Sequence, residues 1–203
     1  MEPLQLSVKN QDGAGIEIRF PRSGDRYQHQ IFSFASSGDP TLLLQSDPAE
    51  TASDNWPADP PLQQLSVEPI GENDAALAVG QAGQGHWSSS VEAFLNDKTP
   101  SLKFDIACRY PIFPLALGSQ YRLSDNVEVA IQDNQAQVTH GEQTLVLTPL
   151  AIDAQTSAAQ QPAAEWSLDT DNRLLRLKIT PQENTVPRTI RWQLDVRRSE
   201  IDR

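Results

Sequence analysis

Two short segments hold most of the side chains that could act together chemically. In Gly85–Leu95 (GHWSSSVEAFL), His86, Ser88, Ser90 and Glu92 stand at every second position; in Ser101–Tyr110 (SLKFDIACRY), Lys103, Asp105 and Arg109 sit with the same parity. An imidazole or carboxylate among such groups offers general acid/base chemistry, and a guanidinium offers an anion-holding fork. The second segment also contains Cys108, the only cysteine of the chain. A nucleophilic cysteine needs a neighbouring cation and some exposure to exist as thiolate, and Arg109 is adjacent in sequence.

The elements that carry these residues decide between the two readings. Both segments alternate with a period of two, which marks strands. In the second, Leu102, Phe104, Ile106, Cys108 and Tyr110 face one side, and Lys103, Asp105, Ala107 and Arg109 the other. Cys108 therefore points away from Arg109 and reads as a small core hydrophobe. In the first, Trp87, Ser89, Val91, Ala93 and Leu95 face inward, leaving His86, Ser88, Ser90 and Glu92 outward. The short linker after Asn96 makes the two a hairpin. Of the registers that keep both apolar faces inward, one sets Glu92 opposite Lys103 and His86 opposite Arg109. The next sets Glu92 opposite Asp105. Unlike charges across strands help and like charges hurt by roughly 0.2–1 kcal/mol, so the first register is expected. Either way one sheet face carries His86, Glu92, Asp105 and Arg109. It reads as the solvated outer face of an antiparallel sheet or as a ligand-binding surface.

Strand alternation dominates the rest of the chain as well. Leu4, Leu6 and Val8 alternate, as do Ile16, Ile18 and Phe20 after the turn NQDGAG, forming an opening hairpin. VEVAIQ, QAQVTH and TLVLTPL form a meander, and EWSLDTDNRLLRLKIT and RTIRWQLDVRR supply the last two or three strands. GQAGQGHW (80–87) reads as a flexible turn into a strand, since it matches neither phosphate-binding glycine pattern. In all, roughly 11 to 14 short strands and no helix are expected. That predicts an all-β fold, a single-domain antiparallel β-sandwich over residues 1–203. Two connectors interrupt it. Residues 46–61 are acidic and proline-rich and should form an exposed loop, with Trp56 as an indole free to stack on a sugar or fill a partner's pocket. Residues 153–165 are rich in Ala and Gln and read as a surface loop. Trp87, Trp166 and Trp192 lie in alternating strands and belong to the core. Pro111–Leu117 is an apolar loop that, if exposed, would be an oligomer contact.

Composition narrows the function classes. The formal net charge is −11 over 203 residues. No Lys or Arg occurs from Tyr27 through Asp97, while basic residues gather after Arg173, where the outer face of a terminal hairpin would hold them. Such a balance excludes nucleic acid as the expected partner. No apolar run is long enough to span a bilayer, and the N-terminal residues do not form a secretory leader, so no membrane and a cytoplasmic location are expected. One cysteine rules out an intrachain disulfide or a multi-cysteine metal site, and the three histidines are scattered. SLDTDNR lacks the glycine and glutamate of a calcium loop and reads as a hairpin turn. No cofactor and no metal are expected. Two function classes remain: a non-catalytic binding or interaction module for a carbohydrate or protein ligand, using His86, Glu92, Asp105, Arg109 and Trp56, or a sugar-active isomerase, epimerase or lyase working on the same polar face.

Overall fold

Alternating apolar and polar residues sort the chain into two large antiparallel sheets packed as a sandwich, with no helix among the described residues. The computed structural model describes residues 3–47, 55–152, 163–181 and 186–199. One sheet has seven strands: β1 (Leu4–Lys9), β2 (Gly15–Phe20), β5 (Gln30–Phe34), β6 (Thr41–Ser46), β11 (Gly118–Leu123), β16 (Leu174–Thr180) and β15 (Ala163–Asp169), in that spatial order. The other has eight: β12 (Glu128–Gln132), β13 (Gln135–His140), β14 (Gln143–Ile152), β17 (Arg188–Ser199), β10 (Thr99–Tyr110), β9 (Gly85–Asn96), β8 (Asn73–Ala82) and β7 (Gln64–Ile70). A two-stranded ribbon, β3 (Arg22–Ser23) with β4 (Arg26–Tyr27), leaves the first sheet after β2. The 17 strands exceed the expected number chiefly because that ribbon and β8 are strands too.

The inner faces supply the core, where Trp192, Tyr110, Tyr121, Phe20, Ile18 and Leu147 are wholly buried. Trp87 and Trp166 join them, as the alternation required. The strand β8 runs straight through Gly80, and the turn into β9 is confined to Gly83 and Gln84. The reason is contact. A Cβ on Gly80 would stand 1.4 Å from the Pro61 carbonyl oxygen, so glycine lets a crossing segment lie on the strand. That segment is pinned beside it, with the Gln63 N–H donating to Val79 O at 2.9 Å.

The two ends of the sandwich differ. At one, strands join through tight turns such as Gly71–Glu72, Asp97–Lys98 and Gly141–Glu142. Asp97 and Lys98 both have positive φ (48° and 71°), the pairing a type I′ hairpin turn needs. A crossing between sheets, after Leu123, also lies at that end; the other end has the tight turn Gly83–Gln84 and crossings after Ser46 and after Tyr110, and there residues 55–62 form a strap over the interior.

The strap corrects the expectation for Trp56. Of the 46–61 connector, 48–54 lie outside the described residues, but Trp56, Pro57, Asp59, Pro60 and Pro61 are buried rather than exposed. Trp56 is 3% exposed and packs edge-on against Trp87 (5.8 Å between centroids) and Tyr110 (6.3 Å). It closes the core and is not a free platform for a sugar or a partner. Three smaller corrections follow from strand packing. Leu95 is 48% exposed, because β9 at its tight-turn end outruns the opposite sheet. Residues 153–162 lie outside the described residues, whereas Ala163–Glu165 already belong to β15. The basic residues after Arg173 do not share a hairpin, since β16 and β17 lie in different sheets. No helix among the described residues is long and apolar enough to cross a membrane.

Candidate functional site

The hairpin of β9 and β10 adopts the register that charge pairing favoured, with Glu92 opposite Lys103 and His86 opposite Arg109. On the other side of β10 lies β17, which pairs Arg191 with Ala107 and Gln193 with Asp105. Because β8 and β7 continue the sheet, the outer face is built of cross-strand rows. One row reads Gln64, Val79, Ser88, Ala107, Arg191; the next reads Ser66, Leu77, Ser90, Asp105, Gln193. The middle positions are small, and the flanking Leu77, Val79 and Arg191 are large. The face is therefore concave there, a trough of about 700 Å³ lined by the first row and by the second as far as Asp105.

Of the residues expected to form a site, the trough takes in only Asp105. His86 and Arg109 form the row beyond one end of it, and Glu92 lies in the row beyond the other. Six residues of strand separate His86 from Glu92, which is about 20 Å at the rise of an antiparallel strand. The two cannot act on one atom. Trp56 is on the opposite side of the sheet, in the core.

Asp105 is held rather than free. The Arg191 Nε donates to Asp105 Oδ1 at 2.6 Å, Arg191 Nη2 donates to Oδ2, and Gln193 Nε2 donates to Oδ2 at 2.8 Å. Partial burial pushes the Asp105 carboxyl up, but the hydrogen bonds from Arg191 and Gln193 and the charges of Arg191 and Lys103 together outweigh it. The carboxyl stays below the ordinary carboxylate range. It is thus a fixed anion, able to accept a hydrogen bond but badly suited to carry a proton during a reaction. Arg191 and Gln193, which the two-strand reading missed, come from a strand more than 80 positions away, beyond the reach of local alternation.

Cys108 is wholly buried on the inner face, and burial pushes its thiol up to about 12. Its bland reading therefore holds. A thiol-specific disulfide reagent at neutral pH should leave the native protein unmodified and react at the rate at which the whole protein opens. Stoichiometric labelling faster than unfolding would refute this placement.

A second polar cluster lies inside the sandwich beneath the strap, and nothing in the sequence spacing announced it. His29 and Asp59 are 5% and 4% exposed, with His29 Nδ1 3.9 Å from Asp59 Oδ2. The imidazole packs on Phe104 and on the edge of Tyr121. The backbone N–H of His29 donates to Ser46 Oγ at 2.9 Å, and Asp59 receives hydrogen bonds from Ser46 and from the backbone of Gln120. Neighbouring Asp47, itself buried, pairs with the exposed Arg122. Burial pushes Asp59 up to about 8 and His29 down to about 4, so both are neutral near pH 7. His29 Nε2 and Asp59 Oδ1 have no hydrogen-bond partner among the described residues. Buried as it is among the described residues, the pair bears on stability.

The remaining candidates sort simply. Asp169 and Asn172 bond to each other within the β15–β16 turn, with Arg176 paired to Asp169. Among the described residues no three metal-ligating side chains converge. Ile112, Phe113 and Leu115 in the β10–β11 loop are exposed. No family model, no curated protein and no solved structure matches the chain.

Proposed function

We propose that the chain is a non-catalytic binding module that takes a carbohydrate ligand in the outer trough of the eight-stranded sheet. The observation that carries this reading is the composition of that concave surface. Serine hydroxyls and a glutamine amide line it, Leu77 and Val79 provide an apolar wall, and the Asp105–Arg191 pair is locked in place. A sugar ring presents the complementary set, hydroxyls around its rim and C–H groups on its face. Preformed sites of this kind place a few fixed polar groups among apolar ones. The sugar-active enzyme reading is less well supported, because Asp105 is tied to Arg191 and Gln193, and His86 and Glu92 stand outside the trough at opposite ends.

The test is thermal unfolding against a panel of neutral sugars, sugar phosphates and uronic acids. A ligand at 100 times its Kd adds about 2.7 kcal/mol, which for a chain of this size raises Tm by about 5–10 °C. The variant Ser88→Trp fills the floor from an exposed position, so it should keep the basal Tm and lose the shift. A shift that survives in Ser88→Trp would put the ligand elsewhere, and no shift with any sugar would sink the carbohydrate reading.

A further inference from the structure

We infer that the edge of β1, which no strand among the described residues covers, is a docking site for an extended segment of another polypeptide, apolar at alternate positions and bearing lysine or arginine. The site is distinct from the trough and does not depend on it.

The edge itself is the first observation. An exposed edge strand offers unpaired backbone N–H and C=O groups to any passing chain, and proteins blunt such edges with charges, prolines or bulges. Two of the other three edges carry such devices inside the strand, β7 with Glu68 and Pro69 and β15 with Glu165, whereas β12, like β1, has a charge only at its end, Glu128. From Leu4 to Val8, β1 has no charged residue and no proline, and its register with β2 is unbroken. Its one charge, Lys9, lies over the Phe34 ring at 4.6 Å.

Beside this edge there is room. A groove of about 680 Å³ runs between the Gln5–Val8 stretch and Glu72–Asp74 at the start of β8, with Phe94 and Leu95 among its lining residues. An added strand would lie about 4.8 Å from β1, within the groove. The sheet that β1 borders has seven strands and the facing sheet has eight, so one more strand would match the two layers. The exposed Leu4 and Leu95 would then be covered by alternate side chains of the incoming segment, as strand addition requires.

Charge selects the occupant. Glu72 and Asp74 are exposed on the groove wall, and no basic side chain among the described residues lines it. A second copy of this chain would bring a further net charge of −11 to an acidic groove, whereas a basic segment is attracted.

The probes are two nine-residue peptides that alternate valine with lysine or valine with glutamate, titrated into the full chain while amide hydrogen exchange is followed. The lysine peptide should bind at least tenfold more tightly than the glutamate peptide and slow exchange at alternate amides of Leu4–Lys9. The surface variant Glu72→Lys/Asp74→Lys, outside the core, should reverse that preference. The inference is overturned by a lysine peptide that does not bind, by binding that leaves the β1 amides unchanged, or by equal affinity for both peptides. Protection of β1 that grows with protein concentration and no peptide would overturn it in favour of self-pairing. Ser88→Trp should not affect peptide binding, so this result and the sugar result stand or fall separately.

Discussion

Asp59→Asn is expected to reverse the sign with which stability depends on pH. In the folded protein Asp59 holds its proton up to about pH 8 and His29 takes one only near pH 4. In the unfolded chain the same groups titrate near their ordinary values, 3.8 and 6.5. Between pH 4 and 6.5 each state therefore carries one proton on the pair, on Asp59 when folded and on His29 when unfolded, and the pair contributes no slope. Between 6.5 and 8 only the folded state keeps a proton, so stability falls as pH rises, by about 2 kcal/mol across the window. In Asp59→Asn that loss disappears. His29 alone then remains, lowered by its burial, and the unfolded chain binds a proton that the folded one refuses. Stability should fall instead as pH drops from 6.5 to 4, by about 3 kcal/mol. The carboxyls of Asp25, Asp105 and Asp169 are held below 3.8 when folded, so their contributions are fully present above that value, begin to be lost near pH 4 at the acid limit of the lower window, and leave the alkaline window alone. Urea midpoints measured from pH 4 to 8.5 decide the matter. If the variant keeps the alkaline loss, some group other than Asp59 is titrating.

Trp56→Ala should cost about 3–5 kcal/mol, the usual toll of emptying a buried tryptophan site. That is a large share of the 5–15 kcal/mol typical of a whole domain. The indole joins the strap to Trp87 and Tyr110, and Asp59 follows it three residues on. Loosening the strap should also wet the interior pair, so the stability step between pH 6.5 and 8 should shrink together with the urea midpoint. Trp56→Phe keeps an aromatic face toward Trp87 and should lose less on both readouts. A loss under about 1 kcal/mol for Trp56→Ala would mean that the strap is held by its prolines and the Gln63–Val79 hydrogen bond instead.

The sequence made legible whatever a single strand or a tight hairpin determines. Alternation placed Cys108 inside and Arg109 outside, and the repulsion between Glu92 and Asp105 selected the register of β9 with β10. Legibility stops where pairing becomes non-local. Nothing near Asp105 in the chain indicates that Arg191 will hold it, because β17 reaches β10 only after the chain has passed through both sheets. The same limit hid His29, Asp59 and Tyr121, which come from three separate connections and strands. Trp56 misled for a related reason. Prolines and acids around an indole signal a solvated loop, yet this segment is buried, with its indole against Trp87 and Tyr110. Gly80 contained a hint, since a glycine inside a strand often marks the close approach of another backbone. Here that backbone is the strap.

The placement of β1 and β17 also decides how the sandwich would answer a pulling force. Leu4 enters its sheet at the strap end, and Ser199 leaves the other sheet at the tight-turn end. Tension between those residues runs along both strands, across hydrogen bonds that lie perpendicular to it. Such bonds are sheared as a group rather than unzipped in sequence. β17 is gripped on both sides, by β10 and β14, while among the described strands β1 pairs with β2 alone. Stretched this way, the molecule should shed β1 first and keep its central clamp, so the strand offered to an incoming segment is also its mechanical weak point.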